Sequence, residues 1–100
     1  MLKLGNYEFE GPFLDANELE KSPGIFAVIT VLSQSPVLVD IDSSENILEA
    51  VKMHPRKKAW QEISGPVGYA FVVKCFKHDN REKRDEIVND IRSSMDIPCG

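Results

Sequence analysis

The stretch GIFAVITVL, residues 24–32, determines the fold that the sequence predicts. Successive side chains of a strand point to opposite faces. Alternate positions here form two apolar sets, which are Ile25, Ala27, Ile29 and Val31 on one face and Phe26, Val28 and Leu32 on the other. A strand that is apolar on both faces is typically central in its sheet and covered on both sides. The stretch therefore predicts a layered domain with this strand in the middle.

Hydrophobic periodicity and turn residues predict the neighbouring elements. In chain order these are a short edge strand within 2–9, an acidic turn at 15–21, the central strand, a hairpin turn at 33–36, a return strand at 37–41, a helix up to about 53, a helix at 56–63, a strand at 67–76 and a last helix before Pro98. Gly11 and Pro12 are interpreted as a break that ends the first strand. The prediction is one α/β domain with a small, largely antiparallel three-stranded sheet flanked by helices.

Polar residues mark where the predicted helices begin. Ser43 and Ser44 offer an N-cap for the first helix. Asp15 precedes the acidic turn, and Asp79 with Glu82 has the spacing of a capping box before the last helix. In that last helix Ile87, Val88, Ile91 and Met95 share one apolar face.

Length and charge restrict the classes of function. The 100 residues fit a single domain, and 42% of them are hydrophobic and 28% charged, which is an ordinary globular composition. The formal net charge of −4 disfavours a general affinity for nucleic acid. Basic residues are concentrated in the second half, where ten of the twelve lie. A basic face there stays open as an alternative to an ordinary solvated surface.

The two cysteines, Cys75 and Cys99, are too few for a disulfide scaffold. Cys75 lies in an apolar run and is interpreted as a buried, small hydrophobic residue. The N-terminus lacks the apolar stretch of a signal peptide, and no window of 18 apolar residues occurs. These features predict a cytoplasmic protein with reduced thiols that does not cross a membrane.

Few patterns in the chain carry chemistry by themselves. Asp40 and Asp42 are two positions apart on a strand, so their carboxylates share a face and could bind a divalent cation or mark a charged strand end. A basic cluster follows at His54, Arg56, Lys57 and Lys58, and a second one comprises Lys74, Lys77, His78, Arg81, Lys83 and Arg84. Both clusters could contact phosphate or form solvated surface. His54 and His78 do not have the spacing of a metal pair.

Several motifs together resemble the GIY-YIG nuclease superfamily. Its first motif, Gly-Ile-Tyr, matches Gly24-Ile25-Phe26, which follows Pro23. The second motif and the helix after it match, without a gap, at Ile41, Ser44, Asn46, Ile47 and His54. The order hairpin, helix, helix, strand, helix is also that of the superfamily. The segment 54–60 and the ending 97–100 are similar to a bacterial branch of it. The resemblance implies that Glu86, on the last helix, occupies the position of the metal-binding glutamate.

The departures from the family pattern fall on the catalytic positions. Phe26 replaces the first-motif tyrosine, Asp40 the second-motif tyrosine, Asp42 a glycine and Ala50 the helical arginine. His54 and Glu86 are the remaining family positions. Removing a single group that stabilises charge in the transition state lowers the catalytic rate by a factor of about 10²–10³. The resemblance therefore implies a domain with a degenerate site.

Three functions remain as hypotheses. The first is a binding or interaction module for an unknown protein or for a second copy of the chain, with no cofactor. The second is a Mg²⁺- or Mn²⁺-dependent nuclease or phosphodiesterase with a rearranged site, in which Asp40, Asp42 and Glu86 bind the metal. The third is a nucleic-acid binder without cleavage that uses the two basic clusters, Arg56, Lys57 and Lys58 above all.

Overall fold

In the computed structural model, which describes residues 1–32 and 34–98, a curled antiparallel sheet lies between two layers of helices. The elements are β1 (Leu2–Leu4), β2 (Tyr7–Phe13), a 3₁₀ turn (Ala16–Glu18), β3 (Gly24–Leu32), β4 (Ser35–Ser44), α1 (Ile47–Lys52), α2 (Lys57–Ser64), a second 3₁₀ turn (Gly65–Val67), β5 (Ala70–Cys75) and α3 (Arg81–Ser94). The mixed α/β class is confirmed. The hairpin turn was placed at 33–36, of which position 33 lies outside the described residues.

The sheet has five strands in the order β1-β2-β5-β3-β4, so the prediction of three strands was wrong. The strand β3 lies between β5 and β4, as its apolar faces predict. Phe26, for example, is opposite Asp42 on β4 and opposite Val73 on β5. The two additional strands come from the N-terminal segment, where β1 pairs with β2 and β2 pairs with β5.

Gly11 and Pro12 do not end the first strand, because β2 continues through them to Phe13. Proline has no N–H group and is tolerated in a sheet only where no neighbour needs one. On its outer side β2 is paired only from Tyr7 to Phe9, so β1 has already ended when β2 reaches Pro12. On its inner side the pairing with β5 shifts register between Glu10 and Phe13. The two residues thus form an irregularity within the strand.

The two faces of β3 lie in two separate hydrophobic cores, which confirms that the strand is covered on both sides. One core packs beneath α3 and contains Leu4, Phe9, Ile25, Ala27, Ile29, Leu38, Ile41, Val72, Ile87, Val88 and Ile91. The other packs beneath α1 and α2 and contains Leu19, Phe26, Val28, Val39, Ile47, Val51, Trp60, Phe71 and Val73. The candidate site lies on the side of the second core.

The N-terminal hairpin is also tied to α3 through a polar contact. The Tyr7 hydroxyl donates a hydrogen bond of 2.8 Å to Oδ2 of Asp90. This bond raises the pKa of Tyr7 from its ordinary value, because the neutral hydroxyl is the form that donates.

The helix N-caps differ in part from those predicted. Asp15 caps the first 3₁₀ turn by accepting from the backbone N of Asn17, as expected. Asn46 caps α1, in place of Ser43 or Ser44, and Asn80 caps α3, in place of Asp79. Asparagine suits an N-cap as well as serine or aspartate does, so composition could not distinguish neighbouring candidates.

The prediction that Cys75 is buried was wrong, because this residue ends β5 and is exposed. It is the last residue of β5, and an apolar run does not show where the cover of a strand ends. Cys99 lies outside the described residues.

Gly24 is required by the close approach of β3 to β5. A Cβ atom at this position would lie 2.2 Å from the carbonyl oxygen of Lys74 and 3.0 Å from the Cα of Cys75. We expect Gly24→Ala to lower the free energy of unfolding by about 1–3 kcal/mol, because backbone atoms must move to admit the methyl group. Chemical denaturation monitored by circular dichroism measures this change.

Gly5→Ala is the matched control for Gly24→Ala. Gly5 also has a positive φ, +60°, but the nearest heavy atom to its added Cβ would be 3.8 Å away. Its φ differs from the +158° of Gly24, so it reports the cost of a side chain in the left-handed region without a close contact, about 1 kcal/mol. An equal loss in the two variants would contradict the role of the close approach at Gly24.

Candidate functional site

The C-terminal half of β4 brings the predicted site residues to one face of the sheet. Asp40 is opposite Val28 and Asp42 is opposite Phe26, so both carboxylates lie on the side covered by α1 and α2. The strand places them at the boundary between the second core and solvent. Asp40 is 0% exposed, whereas the side chain of Asp42 is 43% exposed.

The carboxylate of Asp40 is bound from three elements of the fold. Its Oδ1 accepts from the backbone N of Ile41 at 2.8 Å and from Nη2 of Arg56 at 3.1 Å. Its Oδ2 accepts from Nε of Arg56 at 2.8 Å and from Nε1 of Trp60 at 2.8 Å. Nη2 of Arg92, on α3, lies 3.6 Å from Oδ1 and also donates to the carbonyl oxygen of Ile41. Asp40 thus joins α2 and α3, which cover opposite faces of the sheet.

Trp60 is fully buried and forms the centre of an aromatic cluster beside Asp40. Its ring is tilted by 33° against the His54 ring, with the two centroids 4.7 Å apart. It makes edge-to-face contacts with Phe26, Tyr69 and Phe71. Edge-to-face geometry is favourable for aromatic pairs, and the indole N–H finds its partner in Asp40. Aromatic packing and the hydrogen bond to Asp40 therefore both hold the indole in its position.

His54 lies between Asp42 and the start of α2 with both ring nitrogens engaged. Its Nδ1 accepts from the backbone N of Arg56 at 3.1 Å. Because Nδ1 accepts, the proton of the neutral ring is on Nε2, which donates to Oδ2 of Asp42 at 3.2 Å. Asp42 also accepts from the backbone N of Ser43 at 2.8 Å, and Nη2 of Arg56 lies 3.7 Å from its Oδ2.

An open cleft of about 440 Å³ lies beside these residues. It brings together six of the residues singled out from the sequence, namely Asp42, Ser44, Asn46, Ala50, His54 and Arg56. Phe26 is 0% exposed and lies beneath the cleft, with its ring 5.6 Å from that of His54. Two further acids, Glu45 and Glu49, line the cleft. The cleft is therefore more acidic than basic.

Glu86 is placed apart from the other predicted site residues. It lies on α3, which packs on the opposite face of the sheet, and its side chain is 70% exposed. Its carboxylate is 3.8 Å from Nζ of Lys83. Within 1–32 and 34–98, no group of three or more histidine, cysteine, aspartate or glutamate residues is arranged to bind a metal ion.

The basic clusters are partly used within the fold. Arg56 binds Asp40, and Nζ of Lys57 donates to the carbonyl oxygen of Lys52 at 3.1 Å, while Lys58 is exposed. In the second cluster Arg84 is buried, with its Nε 2.8 Å from Oδ1 of Asp79.

Sequence reasoning missed the partners of Asp40. The sequence patterns predict a helix at 56–63 but no role for its residue Trp60, give no role to Arg92, and favour phosphate contact for Arg56. One signal was present, since Asp40 lies between Val39 and Ile41 in a strand with buried neighbours. A carboxylate in such a position must be neutralised and hydrogen-bonded to be tolerated.

No family model, curated protein or solved structure matches the chain. Among the described residues, the helices are all too short or too polar to cross a membrane.

Proposed function

We propose that this protein is a catalytically degenerate GIY-YIG-like domain that serves as an interaction module for a protein partner or for a second copy of itself. One observation carries the proposal. His54, a retained family position, and Asp40, which replaces the second-motif tyrosine, have their hydrogen-bonding atoms occupied by the protein itself, and the other retained position, Glu86, lies apart from them. Groups bound in this way hold the fold together and are not available to a substrate.

The order of elements supports the GIY-YIG-like part of the proposal. The hairpin β3–β4, the helices α1 and α2, the strand β5 and the helix α3 follow the order that the resemblance implies. The strands β1 and β2 extend the sheet beyond β5 and leave this arrangement intact. The first-motif position, Phe26, lies beneath the cleft that Ala50 and His54 line.

The chemistry of phosphodiester hydrolysis explains why a binding role is favoured over a catalytic one. Hydrolysis needs a base for the attacking water and positive charge or a metal at the phosphate. Phe26 offers no hydroxyl and Ala50 no charge. Arg56, the basic side chain of the cleft, binds a buried carboxylate. Glu86 lies on the other side of the sheet.

The charge of the cleft also disfavours the non-cleaving nucleic-acid binder. Asp42, Glu45 and Glu49 line the cleft with one arginine, and the whole chain has a net charge of −4. Phosphate binding requires clustered basic side chains that release counterions. The binding role that we propose is therefore directed to protein and not to nucleic acid. Localisation in the cytoplasm remains a prediction.

A nuclease assay tests the proposal directly. We expect no cleavage of single-stranded, duplex or branched DNA in Mg²⁺ or Mn²⁺, because the groups that would stabilise the phosphate are replaced or engaged. Glu86→Ala and Glu82→Ala are matched variants, since both acids are exposed on α3. Metal-dependent cleavage that is lost in Glu86→Ala and kept in Glu82→Ala would contradict the proposal and favour the rearranged nuclease.

Thermal melting with and without Mn²⁺ gives a second readout of the same proposal. A ligand that binds only the folded state raises the melting temperature. We expect no change, because Asp40 is occupied by Arg56 and Trp60 and Glu86 lies apart from it. A rise that disappears in both Asp42→Ala and Glu86→Ala would support a metal site formed by Asp40, Asp42 and Glu86.

A further inference from the structure

The end of the sheet opposite the cleft carries an exposed apolar surface. Here β2 ends, β3 extends beyond its last pairing with β5, and the second 3₁₀ turn leads into β5. Leu14 is 80% exposed, Val67 64% and Val31 48%. Exposed apolar side chains that are clustered, as opposed to scattered, mark interaction surfaces. We call the surface formed by Leu14, Val31, Val67 and Tyr69 the apolar end.

Two grooves lie on either side of Leu14. The first, of about 200 Å³, has an apolar lining that includes Pro12, Val31 and Val67. The second, of about 470 Å³, runs between the first 3₁₀ turn and α2. Leu14, Gly68 and Tyr69 line both grooves. A protruding leucine therefore lies directly beside the cavities that could accept such a side chain.

The second groove has opposite charges on its two walls. Asp15 and Ala16 form the wall at the first 3₁₀ turn, and Lys57 and Gln61 form the wall at α2. A two-fold axis that runs along the groove would place the first wall of one copy against the second wall of the other. Asp15 of each copy would then face Lys57 of its partner, so that this pair occurs twice in the dimer, once on each side of the axis.

We propose that the apolar end binds a second copy of this chain and forms a symmetric homodimer. Leu14 of each copy fills the second groove of the other copy, beside Tyr69. Two pairs of Asp15 with Lys57 flank the apolar contact that the two leucines form. This inference rests on the proposed interaction role, for which it names the partner. It leaves the cleft at Asp42 and His54 on the outer ends of the dimer.

The combination of features favours a second copy over an unrelated protein. An interface with two-fold symmetry uses the same patch on both subunits, so the patch must be complementary to itself. The apolar end and the adjoining second groove meet that condition twice, because Leu14 protrudes beside a groove and the acidic wall of the second groove lies opposite its basic wall. To bind an unrelated protein, the surface would need only a protruding side chain or a groove, and only an acidic or a basic wall.

Sedimentation velocity over a range of concentrations tests the dimer. We expect self-association with a dissociation constant between about 1 µM and about 1 mM, the range of weak protein complexes. Leu14→Asp should raise this constant by about tenfold or more, because it puts a charge into an apolar interface centre. Met53→Asp is the control, since Met53 is 76% exposed but lies outside the apolar end.

Charge reversal gives a test that does not depend on Leu14. Asp15→Lys and Lys57→Asp should each raise the dissociation constant by about fivefold, because like charges then face one another. The double variant should restore association to within about twofold of the original chain. Asp15 also caps the first 3₁₀ turn and Lys57 also donates to the carbonyl oxygen of Lys52, so the melting temperature of each variant is measured alongside.

Two results would overturn the dimer, namely a monomer throughout the concentration range or association that Leu14→Asp leaves unchanged. If Leu14→Asp does not fold, the dissociation constants of the charge-reversal variants decide whether this surface forms the dimer. The nuclease assay separates this inference from the proposed function. A monomer without nuclease activity contradicts the dimer alone, whereas a dimer that cleaves DNA contradicts the non-catalytic role alone.

Discussion

Replacing Asp40 by alanine is expected to lower the free energy of unfolding by about 2–4 kcal/mol, because buried N–H groups lose the carboxylate that accepts from them. The change removes the acceptor of the indole N–H of Trp60. It also frees the backbone N of Ile41. The cost at Arg56 is smaller, because its side chain is 36% exposed and its Nη2 also lies 3.7 Å from Asp42. The loss is large because Asp40 is 0% exposed and water cannot take its place without rearrangement.

Asp42→Ala is the matched control for Asp40→Ala. Both acids lie on β4 and both contact Arg56, but the Asp42 side chain is 43% exposed. An exposed ion pair contributes about 0–1 kcal/mol. Urea denaturation of the three proteins measures the difference. An equal decrease in the free energy of unfolding in the two variants would show that the contribution of Asp40 to stability does not depend on its burial.

Trp60→Ala is expected to lower the free energy of unfolding by about 3–5 kcal/mol, since it removes a large, fully buried side chain from the second core. Trp60→Phe keeps much of the packing against Phe26 and Phe71 but loses the N–H donor to Asp40. A hydrogen bond to a charged group contributes about 1.5–3 kcal/mol, and we expect a loss of this size.

A double-mutant cycle isolates the bond between Trp60 and Asp40. In the Asp40→Ala background, Trp60→Phe no longer removes a donor from a buried carboxylate. Its cost should therefore fall by about 1–2 kcal/mol, because residues in direct contact are coupled. Additive losses, measured by urea denaturation of all four proteins, would mean that Trp60 acts through packing alone.

The elements that could be predicted from the sequence are those with a strong repeating pattern. The stretch 24–32 is apolar at every position except Thr30, and β3 has the central place that this pattern indicates. The strand after it, the two helices and the last helix were likewise found, with boundaries that differ by a few residues. Local periodicity is sufficient for such elements because burial on a given face follows from it directly.

The N-terminal strands could not be predicted because their residues conflict with local rules. Gly11 and Pro12 favour a turn when they are considered alone. The structure tolerates them because β1 has ended before Pro12 and the register of β2 with β5 shifts there. Both conditions arise from pairing between distant segments, which no local pattern contains.

The candidate site was predicted only in part, for a similar reason. Asp42, Ala50 and His54 meet in one cleft, as a strand followed by a helix allows. The partners of Asp40 come from α2 and from Arg92 on α3, far along the chain. Arg56 was assigned to phosphate because a run of basic residues gives no sign that one of them points to a buried carboxylate. Whether Glu86 has a role stays a prediction.

The hydrogen bonds of Asp40 and Asp42 to the main chain have a consequence for the protein at high concentration. Because β4 is the last strand of the sheet, its outer side offers backbone groups to which a strand of another molecule could add. The carboxylates bind the N–H groups of Ile41 and Ser43, and Arg92 binds the carbonyl oxygen of Ile41. This half of β4 therefore offers an incoming strand fewer free backbone groups than an edge strand without such bonds would offer.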